Sequence, residues 1–308
     1  MALSNESAKE KLTGNLLRIS VPRLFTILAL LLPLCAVASA QPAPLVSFQL
    51  TAFNVPGALT TTVNGIDNSG NMVGTYVDQS GVPHGFEFTS AQQLINIDYG
   101  FYETVCYGVV GQTVVGAHVT PAGWWQAFYY TQGTFLDLPI KDGVRGSGAY
   151  GINVAGLIVG WYQDSNTFVH GFEWNGKGPK GYKTIDAPGM IDTVALAINH
   201  KGWITLHGSD SNGLGYGWLK KGKNLTQMNN GQVDVWPLGI SDTGDIVIAW
   251  ANGSWHGGLL LKSGFYTFDE PQSGGTWFTG INTNRNIVGY YRDPIQQINV
   301  GLKGSYLP

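Results

Sequence analysis

Residues Gly65 to Phe88 read GIDNSGNMVGTYVDQSGVPHGFEF, and residues Gly151 to Trp174 read GINVAGLIVGWYQDSNTFVHGFEW; the two lie 86 residues apart and align without a gap. Weaker copies surround them. Counted from the residue that opens each "GIN", copies begin at Gly65, Gly108, Gly151, Ala197, Gly239 and Gly280, at spacings of 43, 43, 46, 42 and 41 residues. The second copy, GVVGQTVVGAHVT, is eroded and one residue short. A period near 43 suits a four-stranded propeller blade and also a two-helix repeat. Periodicity within the copy separates the two. Each copy offers short segments of β-branched and aromatic residues, punctuated by N-x-x-G turns, Asp/Asn clusters, Gly and Pro, and no stretch is periodic enough for a helix pair.

The ends of the array predict closure. The sixth copy stops at NVGLKGSYLP, where its third strand finishes. The missing fourth strand stands ahead of the first copy: LTAFNVPGALTT (Leu50 to Thr61) matches YKTIDAPGMIDT (Tyr182 to Thr193), the fourth-strand segment of copy three. The expected fold is therefore all-β, a six-bladed β-propeller with four antiparallel strands per blade. Phe48 to Val55 should lie beside Val300 to Lys303 and close the ring, leaving only short, protected edges.

Residues 1–40 read as a signal peptide. Lys9, Lys11, Arg18 and Arg23 precede the apolar run LFTILALLLPLCAV, and Ala38-Ser39-Ala40 supplies a small-x-small cleavage pattern. The run is shorter than the roughly twenty residues of a spanning helix, so residues 41–308 are expected as one exported domain without a membrane segment. An uncleaved N-terminal anchor is the alternative. One cysteine, Cys106, is left after the leader, so no internal disulfide staples the fold. It aligns with Val63 and Ala149 on the inner strand and is expected to be buried and inert. Net charge is −3 for the chain and −5 without the leader, with scattered cations, which gives no nucleic-acid footprint.

The repeated motif GIN…G.IVG.Y.D……HGF…G….ID.PG resembles the HAF-repeat family of bacterial extracellular proteins, with His84-Gly85-Phe86 and His170-Gly171-Phe172 as its core triplets. The resemblance covers nearly the whole of residues 41–308 and is weakest in copy two, where QAFYY replaces HGFEF. It implies an exported repeat protein with a propeller fold and supplies no catalytic residues.

Candidate binding residues follow from the end of the second strand. Tyr76 and Asp78, Tyr162 and Asp164, and Tyr291 with Arg292 and Asp293 recur there; the other copies place His118, Asp210, and Trp250 with Asn252 in the same turn. Aromatic faces beside hydrogen-bond acceptors, repeated around a rim, suit sugars or polar polymers. The competing reading is that each Asp caps its own turn. His84, His170 and His256 fall 86 residues apart in alternate copies, but they begin the third strand, roughly 10 Å outward from the innermost one. A shared zinc is therefore not expected, and neither metal nor cofactor is assigned.

The expected function is a non-catalytic binding or scaffold module, monomeric, for a glycan or another extracellular protein. The alternative is a glycosidase with a carboxylate pair at the axial mouth. Glu87 and Glu173 occupy equivalent repeat positions and read as structural, and no nucleophile elbow or phosphate loop is present.

Overall fold

The computed structural model describes residues 46–100, 102–140, 145–228 and 233–307; the leader reading falls outside these. Six four-stranded antiparallel sheets form the blades. Blade 1 runs inner to outer through Thr60–Ile66, Met72–Val77, Pro83–Phe88 and Leu94–Ile97. Blade 3 repeats it with Gly146–Ile152, Ile158–Gln163, Val169–Trp174 and Tyr182–Ile185. Blades 2, 4 and 5 have the same order, with inner strands Thr104–Val110, Asp192–Ile198 and Val233–Ile240.

Blade 6 joins the two ends of the described chain. Its inner three strands are Thr276–Ile281, Asn286–Asp293 and Ile298–Leu307, and its outer strand is Ser47–Phe53. The register sets Thr51 opposite Lys303, Ala52 opposite Leu302 and Phe53 opposite Gly301, the pairing that the terminal repeat fragments predict. Seven backbone-paired positions thus hold the ring shut. Among the described residues the one helical element is a 3-10 turn at Gly178–Gly181, and no helix is long and apolar enough to cross a membrane.

The core lies between blades. Phe86, Phe128 and Phe172 share the third position of the HGF triplet and are fully buried. Phe172 packs with Val115, Ala127 and Leu138 of blade 2 and Ala149 of its own blade. Cys106 is also fully buried, beside Phe128 and Ile97, and burial raises its thiol far above the ordinary range. Such a thiol behaves as a small apolar side chain.

The repeat glycine is required by close approach of the inner strands. A Cβ on Gly108 would stand 2.8 Å from the Tyr150 carbonyl oxygen of the next blade, and one on Gly280 3.1 Å from Gly65 Cα. Immediately before this position, each inner strand carries a β-bulge. Register shifts fall at Val63/Gly65, Cys106/Gly108, Ala149/Gly151, Ala195/Ala197, Trp236/Gly239 and Phe278/Gly280. A bulge leaves one residue out of the ladder and re-aims its side chain. Here those residues turn to the axis.

Candidate functional site

The ring has two faces. Turns between the first and second strands lie on one, called here the inner-turn face. The turns between second and third strands, with the crossovers from outer strand to next blade, make the crossover face. On the crossover face of blades 1, 3 and 5, strand register brings an aromatic opposite the histidine that opens the third strand: Tyr76 with His84, Tyr162 with His170 and Trp250 with His256. The rings stack, with centroids 5.1, 5.1 and 4.4 Å apart. Each Nδ1 then meets an aspartate after the outer strand, His84 to Asp98 at 3.0 Å, His170 to Asp186 at 3.1 Å and His256 to Asp269 at 2.8 Å. The histidines are bound inside their own blades, as their radial position predicts. Among the described residues no three His, Cys, Asp or Glu side chains are grouped to hold a metal ion.

The aspartates of the predicted rim cap their turns. Asp78 Oδ1 accepts from the N–H of Ser80 and Val82, Asp164 Oδ1 from Asn166 and Phe168, and Asp210 Oδ1 from Asn212 and Leu214. Asp293 Oδ1 accepts from Ile295 and Gln296, while Arg292 lies beside Asn299 and Gln297. The N–H of Val82 and of Leu214 are the main reason the Asp78 and Asp210 carboxyls sit below their usual range. Asn252 closes a shorter turn, its own N–H donating to Ser254 O.

Two members of the predicted rim are interior. Trp250 is 7% exposed, because blade 5 has Gly258 where blade 3 has Phe172, and the indole with Phe265 fills the vacated space. His118 is 2% exposed, stacked on Tyr99 at 3.6 Å with Nε2 2.9 Å from Asp137. Tyr76, Tyr162 and Tyr291 are half-buried. Tyr162 spends its hydroxyl on Thr184 at 2.9 Å.

The apolar surface of this face comes instead from a position outside the Y-x-D motif. Four residues after each turn-opening residue stand Val82, Trp124, Phe168 and Leu214. Their N–H groups are held by the cap (Asp78, Thr120, Asp164 and Asp210), and their side chains are exposed. Trp124 is 51% and Phe168 48% exposed, and Ile295, in the corresponding turn of blade 6, is 91% exposed. Leu59, Tyr102 and Ile191 on the crossovers add to them. Large apolar residues within turns are visible in the sequence and were the available signal.

Blade 5 departs from its sisters at one atom. His84 Nε2 and His170 Nε2 face the cap carboxylates of Asp78 and Asp164, at 3.3 and 3.7 Å. With its shorter turn, blade 5 offers His256 Nε2 the Ser254 hydroxyl, at 3.1 Å. The order Ser254–His256–Asp269 is that of a nucleophile relay. The same His–Asp clasp in blades 1 and 3, with no serine, accounts for it as a building element.

On the inner-turn face the Asp or Asn that opens the turn in blades 1, 3, 4 and 6 reaches the next blade, whereas blade 5 opens its turn with Ser241. Asn153 Nδ2 donates to Asn199 O, Asn199 Nδ2 to Ser241 O, and Asn282 Nδ2 to Asp67 O, while Asp67 Oδ2 accepts from Gly111 N–H. Hydrogen bonds also cross the axis. Asn68 of blade 1 donates to Asp242 of blade 5 at 2.9 Å, and Asp242 lies 3.1 Å from His200 of blade 4, the blade opposite Asn68.

The inner strands enclose an axial cavity of about 230 Å³. The six bulge residues Asn64, Tyr107, Tyr150, Leu196, Leu238 and Thr279 all line it, with Trp236 and Tyr290. Burial raises the Tyr107, Tyr150 and Tyr290 phenols, so they stay neutral at ordinary pH. None of the described lining residues carries a carboxylate, so the pair required by the glycosidase alternative is not found there.

No protein-family model matches the chain, and no curated protein matches it. Solved structures do. The SapL1 lectin in complex with α-methyl fucoside is 12% identical at a TM-score of 0.55, covering 79% of this chain and 92% of that one. A protein described as TolB from Agrobacterium tumefaciens is 13% identical at 0.56, covering 83% and 92%. An Aleuria aurantia lectin variant in complex with Fucα1-6GlcNAc is 12% identical at 0.50, covering 81% and 96%. At these identities the likeness is one of fold.

Proposed function

We propose that this chain is an exported, non-catalytic propeller of the HAF-repeat type that binds carbohydrate on its crossover face. The observation that carries the reading is the set of exposed turn tips at one repeat position, Val82, Trp124, Phe168 and Leu214. Recurrence at one turn position in four blades sets these side chains apart from the singly scattered hydrophobics of an ordinary surface. Flat rings among hydrogen-bonding turns are what a sugar's apolar face stacks upon. The leader pattern supports export, and the fold is shared with lectins whose structures hold fucosides, which makes fucosides the first ligands to try.

The test is a glycan array probed with the protein lacking residues 1–40, followed by titration of the best glycan. The reading expects capture of defined glycans, and loss of about 1 to 3 kcal/mol of binding in the double variant Trp124→Ala/Phe168→Ala. Capture that the double variant retains in full would move the site off this face, and an array without capture would end the carbohydrate reading.

A further inference from the structure

The repeat holds its frame and varies at the axis. On one side of each bulge stands a buried residue, Val63, Cys106, Ala149, Ala195 or Phe278, with Pro237 in blade 5. On the other stands the glycine, or Ala197, that lets the next blade approach. The bulge residue between them takes four different identities. Around the ring these sort by neighbouring blades: Thr279 and Asn64 in blades 6 and 1, Tyr107 and Tyr150 in blades 2 and 3, Leu196 and Leu238 in blades 4 and 5. At the bulge position one flank of the channel is polar, one aromatic and one aliphatic, with Tyr290 of blade 6 and Trp236 of blade 5 adding rings beside the first and the third. A plug needed only for packing would be filled with aliphatic side chains, whereas here about 230 Å³ stays open.

The polar flank offers acceptors. Asn64 Nδ2 is spent on Cys106 O at 2.9 Å, and its amide oxygen has no partner among the described hydrogen bonds. The Thr279 hydroxyl donates to Val63 O at 2.6 Å and keeps lone pairs to accept. Lining side chains bear no formal charge, so a charged ligand would lose its hydration without an ion partner. The space is smaller than the 300–1,000 Å³ or so of drug-sized sites, which limits the occupant to about one ring.

We infer that the axial cavity is a second binding site, separate from the crossover face, for one uncharged pyranose. Its hydroxyl edge meets Asn64 and Thr279, its apolar face lies on Tyr107 and Tyr150, and an apolar substituent falls to Leu196 and Leu238. The inference rests on the carbohydrate reading for the class of ligand but not for the place.

Trp236 in the lining provides an intrinsic fluorescence reporter. The experiment titrates the protein with the methyl glycosides of fucose, galactose, glucose and mannose up to the millimolar range, with choline as a probe of a cationic aromatic cage. A saturable change with at least one glycoside is expected, weakened at least tenfold by Asn64→Leu and unchanged by Trp124→Ala/Phe168→Ala. Should Asn64→Leu fail to fold, Leu238→Phe, which fills the cavity from blade 5, carries the same expectation. No saturable change with any glycoside, saturation by choline instead, or binding that survives Leu238→Phe overturns the inference. Array capture that survives Leu238→Phe while the fluorescence response is absent leaves the crossover-face reading standing and removes this one.

Discussion

The two faces of the ring use the same device for opposite ends. A turn opened by Asp or Asn, whose side-chain oxygen takes the N–H groups two and four residues on, recurs on both. On the inner-turn face the rest of that side chain is spent on the next blade, as when Asn199 Nδ2 bonds Ser241 O. On the crossover face it is spent on the same blade, as when Asp164 Oδ2 turns to His170. Through these turn-opening side chains the first face binds blades to each other and the second binds each blade to itself, while separate bonds such as Val169 N–H to Asp192 Oδ1 and Asn299 N–H to Thr60 Oγ1 join blades on the crossover side. Cohesion on the first leaves the turn tips of the second free to differ and to carry exposed Trp124, Phe168 and Leu214.

The largest expected effect sets the scale for that division. Phe172 lies in the core between blades 2 and 3, beneath both faces, and is fully buried. Phe172→Ala should cost about 3 to 5 kcal/mol in denaturant unfolding. A cost below about 1 kcal/mol would mean that the inter-blade core does not hold the ring.

Acid should act on the buried part of the crossover side. His207 is 4% exposed, stacked on Trp236 at 3.7 Å, and burial lowers its pKa to about 4 against the pull of Asp234. The unfolded chain binds this proton near pH 6.5 and the folded chain does not, so stability falls as pH drops from about 6.5 toward 4, by about 2 kcal/mol at pH 5. His84 runs the other way. Burial opposes its charge, but Asp98 and Asp78 outweigh this and raise its pKa, so its contribution is full at low pH and lost as pH rises through the folded value. Unfolding of His207→Gln should then be flatter between pH 7 and 5 than wild type; an unchanged slope would assign the acid sensitivity elsewhere.

Paired cap variants sharpen the contrast directly. Asn199→Ala removes two accepted N–H bonds and the bond to blade 5 from a buried site, and should cost about 2 kcal/mol. Asp164→Ala removes a cap that serves its own blade, and its unfolding midpoint should stay close to wild type. Equal losses would erase the distinction between the faces. Smallest of all, Trp124→Ala/Phe168→Ala should leave stability within about 0.5 kcal/mol. The Ser254 hydroxyl should remain unlabelled by a fluorophosphonate; labelling abolished by His256→Gln would make blade 5 a nucleophile site.

Much of this was legible from repetition alone. Six copies at spacings near 43 and the terminal fragment Leu50 to Thr61 state the blade count and the closing strand, because hairpin turns and period-two strands are local signals. The burial of Cys106 and the in-blade histidines followed from alignment and strand spacing. The rim position expected for Trp250 fails because its depth depends on Gly258, a residue of the neighbouring strand that opens the space it fills. The rim position expected for His118 fails for a similar reason, since Tyr99 covers it from the preceding crossover. The bulges escaped notice because a bulge is a property of pairing between strands. Its trace, one variable residue beside a glycine (Ala197 in blade 4), takes on meaning only when the axis is known.

The most direct measurement of the two-face account is hydrogen exchange read by mass spectrometry, with and without the glycan that binds best on an array. Added protection is predicted in the crossover-face turns 78–82, 120–124 and 164–168, with no change in the inner-turn segments 67–71, 153–157 and 199–203. Protection confined to the inner-turn segments, with the crossover turns unaltered, would contradict it.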